Sequence, residues 1–363
     1  MGWGKGHEVL LTLILSGKIK CSRLATFLRR RSLAEICRDG TGGLARQFGL
    51  EAADFAQAAI EARGACATLR REGARMIALG EAAYPRLLAE IAAAPPLLFV
   101  KGSIEAPAAG AVAIVGSRRP SLAGLALATR LAGDLARSGL AIVSGLARGI
   151  DTAAHAGALE AGGKTIGVLA CGIDVAYPPE NRKLAQAIAG SGGVVTELVP
   201  GSQPLRYNFP RRNRLISGLA LGTVVVEAGE KSGALITAAF ALEQNRSVFA
   251  VPGSPGLART KGTNRLLKEG ARLVESADDV LEDIAPQLGR SPGLFFALGG
   301  AADLGTEERS VLALLSDAPA HVDEVSRSLA IGSHRVLSVL LSLETRGLVR
   351  SLPGKFYVLS EGC

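Results

Sequence analysis

The segment Arg206-Tyr-Asn-Phe-Pro-Arg-Arg-Asn-Arg214 interleaves four arginines with two aromatic rings, Tyr207 and Phe209. A guanidinium can grip phosphate oxygens in a bidentate fork. A ring offers a nucleobase a stacking platform worth about 1–3 kcal/mol per base. Aromatics make up only 4% of this chain, so two of them in a basic stretch are poorly explained by packing alone. The plainer alternative buries Phe209 and leaves the arginines solvated. The combination points to nucleic acid, and to a single strand, because duplex bases are already stacked on one another.

A second candidate is Gly116-Ser117-Arg118, at the end of an apolar run Ala111–Val115. Backbone N–H groups and a hydroxyl at a strand end that leads into a helix can hold one phosphate, with the guanidinium reaching another oxygen. Other chemistries fail on their residues. A dinucleotide fingerprint needs glycine at position 118, where Arg118 stands, and the next strand ends in Ser144 rather than an acid for a ribose hydroxyl. Gly163-Lys164-Thr165 suggests a phosphate-cradling loop, yet the residue five before Gly163 is Ala158, and the tripeptide closes a helix instead of opening one. There is no HExxH or CxxC. Asp151 and His155, four apart, read more simply as a helix cap and a packed ring than as an acid–base or metal pair. No catalytic constellation and no metal site are expected.

The elements that must position these residues alternate. Apolar, β-branched runs at Ala111–Val115, Leu140–Val143, Thr165–Leu169, Val194–Glu197, Thr223–Glu227 and Ser247–Val251 predict strands. Between them, Leu122–Arg137, Thr152–Ala161, Asn181–Ala189, Asn213–Leu219 and Ala234–Glu243 predict helices. This alternation predicts an α/β fold, a parallel sheet covered on both faces. Ligands of such sheets bind outside the carboxyl ends of the strands. The loops expected there are 116–120, 144–149, 170–183, 197–214, 227–232 and 251–262. They hold twelve basic residues, Arg148, Lys231 and Lys261 among them, against five acids.

The 363 residues carry 41 Lys and Arg against 33 Asp and Glu, a formal charge of +8. Residues 1–70 and 71–290 are each net +5, and 291–363 net −2. The basic excess therefore concentrates where the ligand is expected, which favours a polyanion. A hydrophobic fraction of 48% excludes global disorder. Five scattered cysteines argue against a disulfide framework and for a reducing, cytoplasmic setting. The apolar run Val9–Leu15 is too short to span a membrane, which takes roughly 20 residues. Residues 1–70 show helical periodicity and end one helix in Arg29-Arg30-Arg31, read as a solvated helix end or a phosphate contact. Residues 291–305, rich in Gly, Ala and Pro, predict a linker. Residues 306–363 predict three helices, Glu307–Leu315, Val322–Leu329 and Ser333–Arg346, then strands Leu348–Ser351 and Phe356–Leu359, a winged-helix pattern. Its acidic balance and sparsely basic third helix favour partner contact over DNA reading.

Several ordered blocks resemble the DprA/Smf family of bacterial DNA-processing proteins. They are Val112-Ala-Ile-Val-Gly-Ser-Arg118, Ile142-Val-Ser-Gly-Leu-Ala-Arg-Gly-Ile-Asp151, Gly172-Ile-Asp-Val-Ala-Tyr-Pro178, Phe209-Pro-Arg-Arg-Asn-Arg-Leu-Ile-Ser-Gly218, Ser232-Gly-Ala-Leu-Ile-Thr237, and Val251-Pro-Gly253 with Lys261-Gly-Thr-Asn264. The resemblance implies an extended Rossmann-like core over residues 71–290, preceded by a helical, SAM-like or helix-hairpin-helix-like domain. It also implies a non-enzymatic homodimer that binds single-stranded DNA and loads RecA recombinase onto strands coated by single-strand-binding protein, during natural transformation. No cofactor is implied. By motif, Gly116, Ser117 and Arg118 would grip phosphate, Arg206 and Phe209 would supply backbone and stacking contacts, and Arg212, Asn213 and Arg214 would line the same pocket. Arg148, Lys231, Lys261 and Asn264 complete the expected DNA-binding set. A rival is a nucleotide phosphoribohydrolase on a related core. That class carries a PGGxGT-like loop and a following helical glutamate, where this chain reads Glu227-Ala-Gly-Glu-Lys-Ser-Gly-Ala.

Overall fold

The computed structural model describes residues 3–49, 55–105, 110–288, 306–315, 319–329, 331–345 and 349–359. Two compact units result, one of residues 1–136 and 140–276, the other holding the chain from Ala277 onward. The expected linker 291–305 lies outside the described residues.

The first unit begins with four helices: α1 (Lys5–Leu15), α2 (Cys21–Leu28), α3 (Leu33–Gln47, broken at Gly40) and α4 (Ala56–Arg71). Their apolar faces, with Leu10, Leu24, Ile36 and Leu69, join one hydrophobic core with Met76, Leu98 and Val143 of the following sheet. That sheet has nine strands: β1 (Arg75–Ala78), β2 (Leu97–Gly102), β3 (Ala111–Val115), β4 (Ala141–Ser144), β5 (Thr165–Val168), β6 (Gly193–Thr196), β7 (Gly222–Val225), β8 (Ser247–Ala250) and β9 (Arg272–Leu273). Their order is β1-β2-β6-β5-β4-β3-β7-β8-β9. Strands β6 to β9 run parallel, and β1 and β2 add an antiparallel edge. Every residue of β3, β4, β5, β6 and β7 is buried. Because successive side chains point to opposite faces, full burial means that both faces are covered.

The covering helices are α5 (Arg86–Glu90), α6 (Leu122–Arg137), α7 (Ile150–Glu160), α8 (Arg182–Ser191), α9 (Asn208–Gly218), α10 (Gly233–Glu243) and α11 (Lys261–Lys268). Two departures from the expected elements matter for the site. The segment expected as loop through 214 turns helical at Asn208, with Pro210 in the first turn, where its missing N–H breaks no hydrogen bond. Lys261 and Gly262, expected at the end of the loop 251–262, instead open α11. Edge strands β1 and β2 were absent from the expectation, since runs of three or four apolar residues have no period that separates them from a buried helix turn.

The chain direction reverses across β3. From β3 the chain winds outward through β4, β5 and β6, then returns to place β7 on the other side of β3. The gap between the carboxyl ends of β3 and β7 is the topological switch point of the sheet.

In the second unit, α12 (Ala277–Ile284) precedes α13 (Thr306–Leu314), α14 (Val322–Leu329) and α15 (Ser333–Thr345). A three-stranded antiparallel sheet of β10 (Ala320–His321), β11 (Val349–Leu352) and β12 (Phe356–Leu359), in the order β10-β12-β11, makes the wing. Val311, Val325, Val336, Leu340 and Val349 form its own core. The turn between β11 and β12 uses Gly354 at φ +86°.

Candidate functional site

A groove of about 960 Å³ opens at the switch point. Gly116, Ser117, Arg118 and Arg119 line it from the loop after β3, and Gly229, Lys231 and the first turn of α10 line it from the loop after β7. The wall is α9, through Phe209, Arg212, Asn213 and Ile216. These residues are spaced i, i+3, i+4 and i+7, so a single helix face meets the groove. Arg206, Tyr177 and Asp151 complete it.

Helical geometry sorts the arginines that looked equivalent in sequence. Arg211 and Arg214 project elsewhere, onto the buried Glu197, at 3.4 and 2.6 Å. Arg214 does not line the groove and faces a depression with Glu90, Phe240 and Arg246. Tyr207, 68% exposed, is also outside it. Arg212 faces the groove but is only 5% exposed, and its guanidinium is committed. Nη1 donates to the carbonyl of Gly145 at 2.7 Å and to that of Val168, and Nε donates to Asn213 Oδ1 at 3.3 Å. A Cβ on Gly145 would stand 2.6 Å from Arg212 Nη2, so glycine is what lets that backbone approach. Burial pushes Arg212 down to about 10, against the pull of nearby Asp151. Arg212 is thus a wall element, tying α9 to the ends of β4 and β5.

Asp151 lies inside α7 and does not cap it, contrary to the sequence reading. Its Oδ2 accepts from the amides of Gly145 and Ala147, at 3.1 and 3.3 Å, and so holds the β4–α7 loop. Burial pushes its carboxyl up, while Arg212 and the two amides pull it down. His155 packs one turn later, fully buried, with Nδ1 2.6 Å from Thr165 Oγ1. Because that hydroxyl donates to the Ile142 carbonyl, it must accept from His155 Nδ1–H. Burial pushes His155 down to about 3, so the ring is neutral.

Four cations remain unpaired at the groove: Arg118, Arg119, Arg206 and Lys231 are exposed, and among the described residues none has an ion-pair partner. The Arg118 guanidinium lies 5.0 Å from the centroid of the Phe209 ring, a cation–π contact. Tyr177 meets Phe209 edge to face at 5.6 Å. The loop carrying Ser117 is locked by the Ile150 amide donating to the Ser117 carbonyl at 3.1 Å. Gly149, at φ +79°, makes this possible, since a Cβ there would stand 2.4 Å from that carbonyl oxygen.

The rest of the expected set falls elsewhere. Arg148 is outside the groove and pairs with Glu180. Asn213 lines the groove but donates Nδ2 to the Gly233 carbonyl at 3.1 Å, linking α9 to α10. Lys261 lies 3.7 Å from Glu230 and does not line the groove. Asn264 closes the loop after β8, accepting from the Gly253 amide at 3.0 Å and donating to the Gly253 carbonyl at 2.8 Å. Arg119 counts among the twelve basic residues of the ligand-edge loops but was not placed in the expected DNA-binding set, and Tyr177, in the Gly172–Pro178 block, was not assigned a role.

Comparison with known proteins places this architecture. The family model for DNA recombination-mediator protein A matches residues 75–285, and that for the DprA winged helix domain matches 299–355. The chain belongs to the DprA/Smf family. Among curated family members, DNA processing protein DprA of Streptococcus pneumoniae is 48% identical over 55% of this chain and 71% of its own. Protein Smf of Escherichia coli is 38% identical over 77% of this chain and 76% of its own. The crystal structure of the S. pneumoniae protein superposes with a TM-score of 0.64, at 37% identity, covering 78% of this chain and 99% of that one. A Helicobacter pylori DNA processing protein A, whose structure describes a single-stranded DNA binding mode, gives 0.52 at 30% identity, covering 59% of this chain and 96% of that one. The family assignment carries with it a DNA-processing class, a mostly parallel Rossmann-like core and a C-terminal winged helix. Among the described residues, no helix is long and apolar enough to cross a membrane.

Proposed function

We propose that this chain binds single-stranded DNA without sequence preference in the switch-point groove, and that it does so without catalysing a reaction. The observation that carries this reading is the pairing of four uncompensated cations with the Phe209 ring in one open groove. Guanidinium and ammonium groups track a phosphate backbone, whereas a ring accepts any base. The lining residues present no set of side chains committed to one base edge. In the free protein Arg118 covers a face of Phe209. A base that stacks on Phe209 takes that place and releases the Arg118 guanidinium toward phosphate, beside the amides of the Gly116–Ser117 turn. The single-stranded DNA binding described for the H. pylori relative supports the same ligand class.

In the cell, such a protein would work in the cytoplasm on DNA taken up during transformation, protecting the strand from nucleases and passing it to RecA in exchange with single-strand-binding protein. A homodimer is part of the same reading, and on α10 Leu242 is 58% exposed and lies outside the groove. The winged helix is assigned to partner contact, since its third helix offers few cations.

The test is a titration of labelled oligo-dT and of duplex of equal length across a range of salt. The single strand should bind more tightly, and each phosphate contact should add about 0.7 to the magnitude of the log–log salt slope. Equal affinity for duplex, or an affinity indifferent to salt, sinks the reading. Release of a free base from nucleoside monophosphates would instead favour a phosphoribohydrolase.

A further inference from the structure

The N-terminal helices repeat the chemistry of the groove at a second place. A depression of about 490 Å³ is lined by Arg23, Thr26, Phe27, Arg30, Arg31, Gln47 and Phe48, from α2, the segment that follows it, and the end of α3. Phe27 and Phe48 meet edge to face at 5.3 Å. The Arg23 guanidinium lies 5.2 Å from the Phe48 centroid and that of Arg31 5.4 Å from the Phe27 centroid, as Arg118 lies over Phe209.

The Arg29-Arg30-Arg31 run divides by partner. Arg29 donates to the carbonyls of Ala89 and Ile91, at 2.8 and 3.1 Å, and ties α2 to the segment around α5. Arg31 is neutralised by Asp39 at 2.6 Å. Arg23 and Arg30 are exposed and have no ion-pair partner among the described residues. Two free guanidiniums therefore flank a pair of half-buried rings, two of whose faces already carry guanidinium planes. Those planes stack on bases as readily as rings do, while their edges donate to phosphate.

We infer that this depression is a second single-stranded nucleic-acid contact, which engages strands longer than the switch-point groove alone can fill. The inference rests on the proposed groove function for its ligand class, but on separate residues for its site. These helices lie outside the residues matched by either family model. An acidic peptide would satisfy the arginines but has no use for the stacked planes.

The experiment uses the full chain with Arg23→Ala and Arg30→Ala combined, two exposed positions whose loss leaves the core intact. Affinity is measured for oligo-dT of increasing length, with Arg118→Ala in parallel. The double variant should bind the shortest strands like the parent. It should bind long strands roughly tenfold more weakly, the equivalent of one charged hydrogen bond. Its long-strand salt slope should be shallower by about 1.4, two phosphates at about 0.7 each. In addition, long strands carrying 5-iodouracil should photocrosslink to the peptides containing Phe27 or Phe48. Parent-like affinity and slope at every length, with no crosslink there, overturns the inference, even if poly-glutamate binds the same face. Failure of the groove reading looks different, because Arg118→Ala would then bind every length like the parent.

Discussion

Four cations line the switch-point groove with no acidic partner among the described residues, whereas in the winged helix Arg335 of α15 is held by Glu307 at 2.9 and 3.0 Å. Both regions set arginine beside a helix, but they place their acids differently. In the first unit two acids of the ligand-edge loops, Glu197 and Glu227, are turned inward, and the exposed Glu180 and Glu230 pair with Arg148 and Lys261 outside the groove. Glu197 is buried against Arg211 and Arg214, and Glu227 accepts from the amide and hydroxyl of Ser121 at 3.0 and 2.5 Å. In the winged helix the acid is exposed and cancels its cation at the surface, where such a pair contributes little to stability. The contrast teaches that a polyanion site is made as much by sequestering carboxylates as by supplying arginines.

The sharpest way to break the comparison is Arg212→Met. It strips a buried charge and leaves the Gly145 and Val168 carbonyls without their donor, so urea unfolding should show a loss of about 3–5 kcal/mol, with DNA binding lost alongside. Intact stability with lost binding would move Arg212 from the wall to the ligand. Phe209→Ala should weaken oligo-dT binding by about 1–3 kcal/mol and leave the salt slope nearly unchanged. If affinity survives, Phe209 is a packing residue. Arg118→Ala and Arg206→Ala should each reduce the slope by about 0.7, while Arg214→Ala should leave it alone because Arg214 serves Glu197. A slope change in Arg214→Ala would mean that the helix faces have been sorted wrongly.

A smaller effect concerns pH. The folded-state pKa of His155 lies near 3, below its ordinary 6.5. Its neutral form is favoured by folding, so this stability is whole above pH 6.5 and is lost as pH falls from there toward about 3. Relative to His155→Gln, the parent should lose up to about 1.4 kcal/mol per pH unit within that window. Parallel curves for the two proteins would place a protonated ring in the fold. Smallest of all, Arg335→Ala should leave oligo-dT affinity unchanged in direct titration, and a clear loss would give the winged helix a share in strand binding.

Much of the fold was legible in the chain. Ala111–Val115 and Leu122–Arg137 occur with the bounds their periodicity predicts, as do Val322–Leu329 and Phe356–Leu359 in the winged helix. Such elements announce themselves through local repeats of burial. The candidate site was legible as a region and not as a set. Arg206 to Arg214 read as one basic loop, and the helix beginning at Asn208 split it by face. Asn264 and Arg148 belonged to matching or charged loops, but their side chains close loop structure or pair with acid.

The sequence by itself determined the alternation of strand and helix, the acidic winged helix, and the gathering of charge at the strand ends. Each of these is carried by neighbours a few residues apart. Only the tertiary structure decided which cations stay free. The Gly145 and Val168 carbonyls that hold Arg212 lie 67 and 44 positions away, and Glu197 stands 17 from Arg214. Whether a guanidinium is available to a ligand depends on what reaches it first, and those competitors are brought in by the sheet.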